Sequence, residues 1–409
     1  MYEFYRSMLR TTLTAILDRF EADPGYGFID TKLDLATGES FDDHGPEFRR
    51  KKYIYSWIQG RGLEAMAEHA EFMPEFAPRI LPLLKTVADS MENLRRTAGR
   101  VWFVMTADGT ALEVRDFTRM VPLSAMPEGA NYSELFYFKG LFAAAMVLED
   151  DGLRRVAVEN FRRVVDDIAA ERFRTDQQPF DPLNPVAYTP GRSLQGPKMI
   201  ALGGLALMMN ADDRFADWAG YAARFIERIL DLHVLRPGYG FMEAITSDGK
   251  PYVSDGKILG DPGHAGEFAG LAGKCLRAKG FRNRFPQLAD RMKIELPKIL
   301  EANFKLGFSP EAHGICKSVD LLTGTPFNSD MPWWNLPETM RAATFFERPE
   351  IFEKCDDAFR NYFVNPRAHM MAYQNRNAKG EVISTVPATP DADPGYHTNL
   401  SIIDVLRSS

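Results

Sequence analysis

The sequence predicts an all-α chain closed into a ring of helical hairpins, and three observations point there. Apolar residues recur at helical spacing in roughly twelve stretches that fall into pairs. Turn signals of the hairpin type, at Asp108-Gly109, Asp248-Gly249, Leu322-Thr323-Gly324 and Lys379-Gly380, lie between those pairs. Gly27-Phe28, Gly240-Phe241 and Gly307-Phe308 precede turns at similar offsets, which marks a degenerate repeat of helix, helix, hairpin. The intervals are too irregular for an open solenoid, so a closed ring accounts for them better.

Taken in order, the helical stretches start near Ser7, Tyr53, Pro78, Asn131, Leu153, Gln195, Arg214, Gly263, Arg284, Trp333, Pro349 and Pro394. Alternate members form an inner series beginning near Tyr53, Asn131, Gln195, Gly263, Trp333 and Pro394. In a ring of hairpins the inner helices run parallel, so residues at their leading ends converge on one mouth. Near those ends lie Arg61, Glu134, His264, Glu267, Trp333, Trp334, Glu338 and His397, and the outer series carries nothing comparable. Two histidines, three glutamates, an arginine and aromatic faces describe a polar pocket for a hydroxylated ligand.

Composition narrows the alternatives. With 45% hydrophobic and 26% charged residues, the 409-residue chain has a globular balance and is long enough to bury a large core. No Pro/Ser-rich linker or charge block divides it, so residues 1–409 are expected to form a single catalytic domain. A net charge of −7 argues against a nucleic-acid footprint. Cys275, Cys316 and Cys355 are odd in number and lack Cys-x-x-Cys spacing, which signals neither a disulfide framework nor a zinc site. Met1 to Thr14 lacks the apolar stretch of a signal peptide or membrane helix, so a cytoplasmic location with no membrane partner is expected.

Within Gly260-Asp261-Pro262-Gly263-His264-Ala265-Gly266-Glu267, a proline and a glycine break what precedes and a helix is expected to begin near His264. The unpaired amides and dipole of such a helix start disfavour a protonated imidazole, so His264 is expected to be neutral, with Glu267 one turn on to orient the ring. The other histidines, His44, His69, His233, His313 and His369, have no paired ligand spacing and read as surface or core residues; no metal site is implied. Gly203-Gly204 and Gly25-x-Gly27 lack the strand-turn-helix setting of a dinucleotide fingerprint, so no cofactor is expected.

These residues together resemble the N-acylglucosamine 2-epimerase family of sugar epimerases and isomerases, whose fold is an (α/α)6 barrel. The likeness runs from about Gly25 to Leu400. An aromatic-rich Trp-x-Gln-x-Arg run is similar to Tyr53 through Arg61. A Pro-Gly-His segment with a following glutamate matches Pro262-Gly263-His264 and Glu267, paired tryptophans with a downstream glutamate match Trp333-Trp334 and Glu338, and a late histidine matches His397. The resemblance implies that His264 and His397 act as base and acid on opposite sides of an open-chain sugar. Arg61 then holds or polarises the carbonyl oxygen, unless it is tied up in a structural salt bridge. Tyr53, Glu134, Glu267 and Glu338 would bind the sugar or tune the imidazoles, and Trp334 offers an apolar face. The implied partner is a small-molecule sugar, and the implied assembly a homodimer.

The chemistry fits those residue types, because the proton beside a sugar carbonyl needs a positioned base near neutral pKa and a donor for the enediolate oxygen. Return of the proton to C2 gives an epimer, and return to C1 gives a ketose. Some branches of the family carry a further histidine after a methionine on the third inner helix; this chain has Met199-Ile200, which favours the N-acylhexosamine-like branch. The late histidine is followed by Thr398-Asn399-Leu400 instead of a Val-Pro-Arg-like run, and the segments Gly45 to Lys52 and Met120 to Gly129 differ at the pocket rim. A hydrolase using Glu134 and Glu338 as acid and base, or a non-catalytic sugar-binding protein, are the readings from other classes.

Overall fold

A computed structural model describes residues 2–41, 45–125, 127–182, 188–386 and 388–408. Its helices are α1 (Tyr2–Ala22), α2 (Ser56–Phe72), α3 (Ala77–Ala98), α4 (Tyr132–Val147), α5 (Asp151–Ala169), α6 (Gly196–Asn210), α7 (Trp218–Leu232), α8 (Pro262–Arg277), the single turn α9 (Phe281–Arg284), α10 (Pro286–Gly307), α11 (Asn335–Phe345), α12 (Pro349–Ala358) and α13 (Thr398–Arg407). Inner helices α2, α4, α6, α8, α11 and α13 each pack on the next, and α13 returns to α2. That closes the (α/α)6 barrel. The outer layer is α3, α5, α7, α10 and α12, each against the inner helix it follows, while α1 packs on α3 and α13. The start and end of the described chain therefore meet across the seam of the ring.

Residue pattern explains the two layers. α4, Tyr-Ser-Glu-Leu-Phe-Tyr-Phe-Lys-Gly-Leu-Phe-Ala-Ala-Ala-Met-Val, is apolar nearly all round and buried on nearly every side, as a helix inside a ring must be. α5 carries one stripe, Ala157, Val158, Phe161, Val164, Val165 and Ile168, and is polar elsewhere. Glycine sets how closely the inner helices approach. A Cβ on Gly140 would lie 2.0 Å from the carbonyl oxygen of Gly60, so α4 and α2 touch backbone to backbone. On α8, Gly266 and Gly270 face Thr339 and Arg341 of α11, where a Cβ would come within 2.6 and 2.7 Å of side-chain atoms.

The strands are short and confined to the loops. The pairing of residues 104–105 with 111–115 surrounds Asp108-Gly109, and that of 318–320 with 325–328 surrounds Leu322-Thr323-Gly324, as the turn signals predict. At Asp248-Gly249 the turn is closed by an antiparallel bridge of Ile245 with Pro251, and Ala244–Thr246 also pair on their other edge with Arg192–Leu194. That cross-link ties the loop before α6 to the loop before α8. Among the described residues, no helix is long and apolar enough to cross a membrane.

Candidate active site

The leading ends of the inner helices open onto a cavity of about 430 Å³. His264, Glu267, Arg61, Trp334 and His397 line it, so five of the side chains singled out in the sequence meet in one space. Two others do not. Tyr53 turns its hydroxyl to Glu47 (3.0 Å) beneath Lys52. Glu134 projects away from the cavity, its two oxygens taken by Arg100 (2.6 Å) and Arg163 (2.7 Å). Glu338 stands one layer behind the lining, in contact with His397.

His264 is placed by the start of α8. Asp261 caps this helix, its Oδ1 accepting from the amides of Gly263 (2.9 Å) and His264 (3.2 Å), and Pro262 occupies the first turn, where its missing N–H costs nothing. The helix thus begins two residues before the expected start. The ring Nδ1 is 2.8 Å from Glu243 Oε1 and 3.4 Å from Asp261 Oδ2. Gln195 donates to the same Glu243 oxygen (3.2 Å), and Lys317 Nζ is 2.6 Å from Asp261 Oδ2. Burial opposes charge on this imidazole, but the carboxylates of Asp261 and Glu243 outweigh it and raise the pKa to about 9. The expectation of a neutral His264 is therefore corrected: two carboxylates at hydrogen-bonding range overcome the weaker field of a helix terminus. Glu267 is not the group that orients this ring.

His397 is the opposite case. It caps α13, while Asp393 accepts from the amides of Tyr396 (2.8 Å) and Thr398 (3.0 Å). Its Nδ1 lies 3.1 Å from Glu338 Oε1, and the other oxygen of Glu338 accepts from Arg341. Burial, reinforced by the Arg61 charge, lowers its pKa to about 3. At neutral pH one imidazole of the pair is cationic and the other is neutral. Both engage carboxylates through Nδ1, which leaves each Nε2 free for chemistry.

Trp334 joins the two rings, its centroid 5.3 Å from that of His264 and 5.4 Å from that of His397, at interplanar angles of 30° and 33°. Trp333 also lines the cavity but is anchored through Nε1 to Thr398 Oγ1 (3.1 Å). Arg61 is held over the rings of Phe136 (4.2 Å), Trp57 (5.1 Å) and Tyr396 (5.4 Å), and its buried Nε has no hydrogen-bond partner among the described residues. Among the described residues no carboxylate pairs with it, so the guanidinium faces the cavity with donors to spare. Lys139, wholly buried on α4, bonds the Tyr396 hydroxyl and lies 2.8 Å from Glu64, fixing the aromatic floor beneath Arg61.

Glu267 is 3% exposed, receives no protein hydrogen bond among the described residues, and is held above the usual carboxylate range by burial and by Glu338. A carboxyl in that state is suited to a sugar hydroxyl. Two groups, Glu243 with Asp261 and His264, and Glu267 with Glu338 and His397, each bring potential metal-donor atoms within 4.8 Å. In both, a protein cation already meets a carboxylate, Lys317 in the first and Arg341 in the second. Sequence reasoning missed Glu243, Asp261 and Lys317. Asp261 was visible as an Asp-Pro-Gly helix cap, whereas Glu243 and Lys317 come from loops whose return to the mouth leaves no local signal. His69 and His233 are buried with Nδ1 on backbone carbonyls, as core residues are; His44 lies outside the described residues.

Among solved structures the chain is similar to a sugar epimerase from a ruminal bacterium, with TM-score 0.72, 12% identity, and 99% of this chain and 98% of that one covered. It is also similar to cellobiose 2-epimerase from Bacillus thermoamylovorans B4167, with TM-score 0.71 and 12% identity over the whole of both chains. A D-mannose isomerase matches with TM-score 0.68 and 13% identity over 97% of each chain. No protein-family model and no curated protein matches the sequence. At these identities the likeness is one of fold, and it is the (α/α)6 barrel that the residues resemble.

Proposed function

We propose that the protein is a cofactor-independent carbohydrate 2-epimerase acting on an N-acylhexosamine or related aldose. The observation that carries this reading is the pair His264 and His397, cationic and neutral, flanking one tryptophan in a sugar-sized cavity. Neutral His397 Nε2 takes the proton from C2, Glu338 at its Nδ1 supporting the charge that this weakened base gains, and the electron pair moves into the carbonyl to give an enediolate. Arg61 stabilises the oxygen that gains charge. His264 donates a proton to the opposite face of C2, which inverts that carbon. The structural neighbours named as sugar epimerases and a D-mannose isomerase support the same chemistry.

Aldose–ketose isomerisation is the second reading, since it needs only that the proton return to C1. Met199 and Ile200 line the cavity where some branches of the resembled family carry another histidine, which favours the N-acylhexosamine-like branch. The hydrolase reading loses its acid and base, because Glu134 and Glu338 are both bound to arginines and neither lines the cavity. Incubation with N-acylhexosamines and aldoses in deuterium oxide, followed by proton NMR, is the test. Deuterium at C2 of both epimers, absent in His264→Ala and His397→Ala, is expected. A ketose as the product would favour the second reading, and no exchange with any sugar would defeat both.

A further inference from the structure

A second pocket, of about 200 Å³, abuts the histidine cavity and shares with it the walls Tyr132, Thr175 and Arg192. Its charge sets it apart. Among the described residues Arg174, Arg192, Lys198 and Arg228 line it against one carboxylate, that of Glu171, in a chain whose net charge is −7. Glu171 Oε1 is shared between Lys198 Nζ (2.8 Å) and Arg228 Nη2 (3.1 Å), while Oε2 accepts from Ser193 (2.8 Å). Among the described residues Arg174 bonds only the carbonyls of Phe173 (2.9 Å) and Glu171 (3.3 Å), with its guanidinium over the Tyr188 ring at 4.2 Å. The buried Nε of Arg228 has no hydrogen-bond partner among the described residues.

A purely structural ion network would give Lys198, Arg228 and Arg174 a carboxylate each. Here one carboxylate serves two of them, so the like charges of Lys198 and Arg228 repel across Glu171. An anion arriving in the pocket relieves that repulsion and finds several oriented donors. A neutral sugar gives no such return.

We propose that this pocket is an oxyanion subsite, and that the substrate is an aldose bearing a carboxylate, phosphate or sulfonate at the end remote from its carbonyl. This rests on the sugar-epimerase reading above for the placement of C1 and C2 between the histidines. Arg192 lines both spaces, so a substrate anchored at its carbonyl end brings its far substituent to the basic pocket.

The test uses ligands that cannot react. Calorimetric binding of a hexitol 6-phosphate and a hexonate is compared with that of the neutral hexitol, for the wild type and for Arg174→Gln and Arg228→Gln. The charged ligands are expected to bind about tenfold more tightly or better, with the advantage shrinking as salt rises and falling in both variants. Binding of the neutral hexitol should not change in either variant. The wild-type salt series stands even if a variant fails to fold. Equal binding of charged and neutral hexitols overturns the proposal. So does inorganic phosphate binding as tightly as the hexitol phosphate, since the sugar would then contribute nothing and the pocket would be a separate anion site. Retained oxyanion preference without C2 exchange of a matched aldose would refute the epimerase reading and leave the subsite standing.

Discussion

His264 Nδ1 lies 2.8 Å from Glu243 Oε1, and this contact, made between a helix start and a loop twenty-one residues earlier, joins Asp261 in holding the imidazole charged. Glu243→Gln keeps a hydrogen-bond acceptor there but removes the negative charge. The His264 pKa is then expected to fall from about 9 toward ordinary histidine values, read by NMR titration of the ring protons. Turnover at pH 8 should drop by up to roughly 30-fold, the loss of protonated imidazole as its pKa falls from about 9 toward the ordinary value. An unmoved pKa would show that Asp261 alone holds the charge.

The pH dependence follows from three groups. Burial pushes Glu338 up to about 7 against the pull of Arg341, while His264 sits at about 9 and His397 at about 3. As pH falls through 7, Glu338 takes a proton and ceases to hold His397 with Nδ1 protonated and Nε2 free. As pH rises through 9, His264 loses the proton it donates. The plot of kcat against pH is expected to be a bell with limbs near those two values. A limb near 3 in place of 7 would mean that Glu338 does not matter to the base.

Arg341 acts through Glu338. It is 3% exposed, bonds Glu338 Oε2, and has Asp404 3.8 Å from its Nη1, with Lys274 in turn 2.8 Å from Asp404. Arg341→Gln removes the largest influence holding the Glu338 pKa down, so the acidic limb of the bell should move upward. Loss of one partner from a buried pair also costs about 3–5 kcal/mol of stability, visible in denaturant unfolding. Arg341→Lys should restore part of both. Lower stability with an unchanged acidic limb would reduce Arg341 to a packing role.

Gly140 tests the closure of the barrel. Alanine usually stabilises a helix interior by about 1 kcal/mol over glycine. Here the new Cβ would lie 2.0 Å from the Gly60 carbonyl oxygen, a backbone atom that cannot turn aside. Overpacking of this kind costs about 1–3 kcal/mol, so Gly140→Ala is expected to lower Tm. A raised Tm would show that α2 and α4 can separate at no cost.

Much of this molecule is legible in its residues. Hydrophobic periodicity is a local property, so the paired stretches lie along the chain where the helices lie, and the parallel inner series brings Arg61, His264, Trp334 and His397 to one mouth. Motif and helix end are both written within a few residues of each other. What the sequence leaves open is which side chain meets which. Tyr53 and Glu134 stand near inner-helix ends, yet face Glu47 and two arginines, because a helix end presents its side chains all round and only packing decides which point inward. The charge state of His264 depends on Glu243 and Asp261, and that of His397 on burial and Arg61. Those fields fall off over a few ångströms and join residues tens to hundreds of positions apart. The sequence by itself determined the barrel and the mouth at which its candidate site residues gather; the tertiary structure decided which histidine carries the proton and which does not.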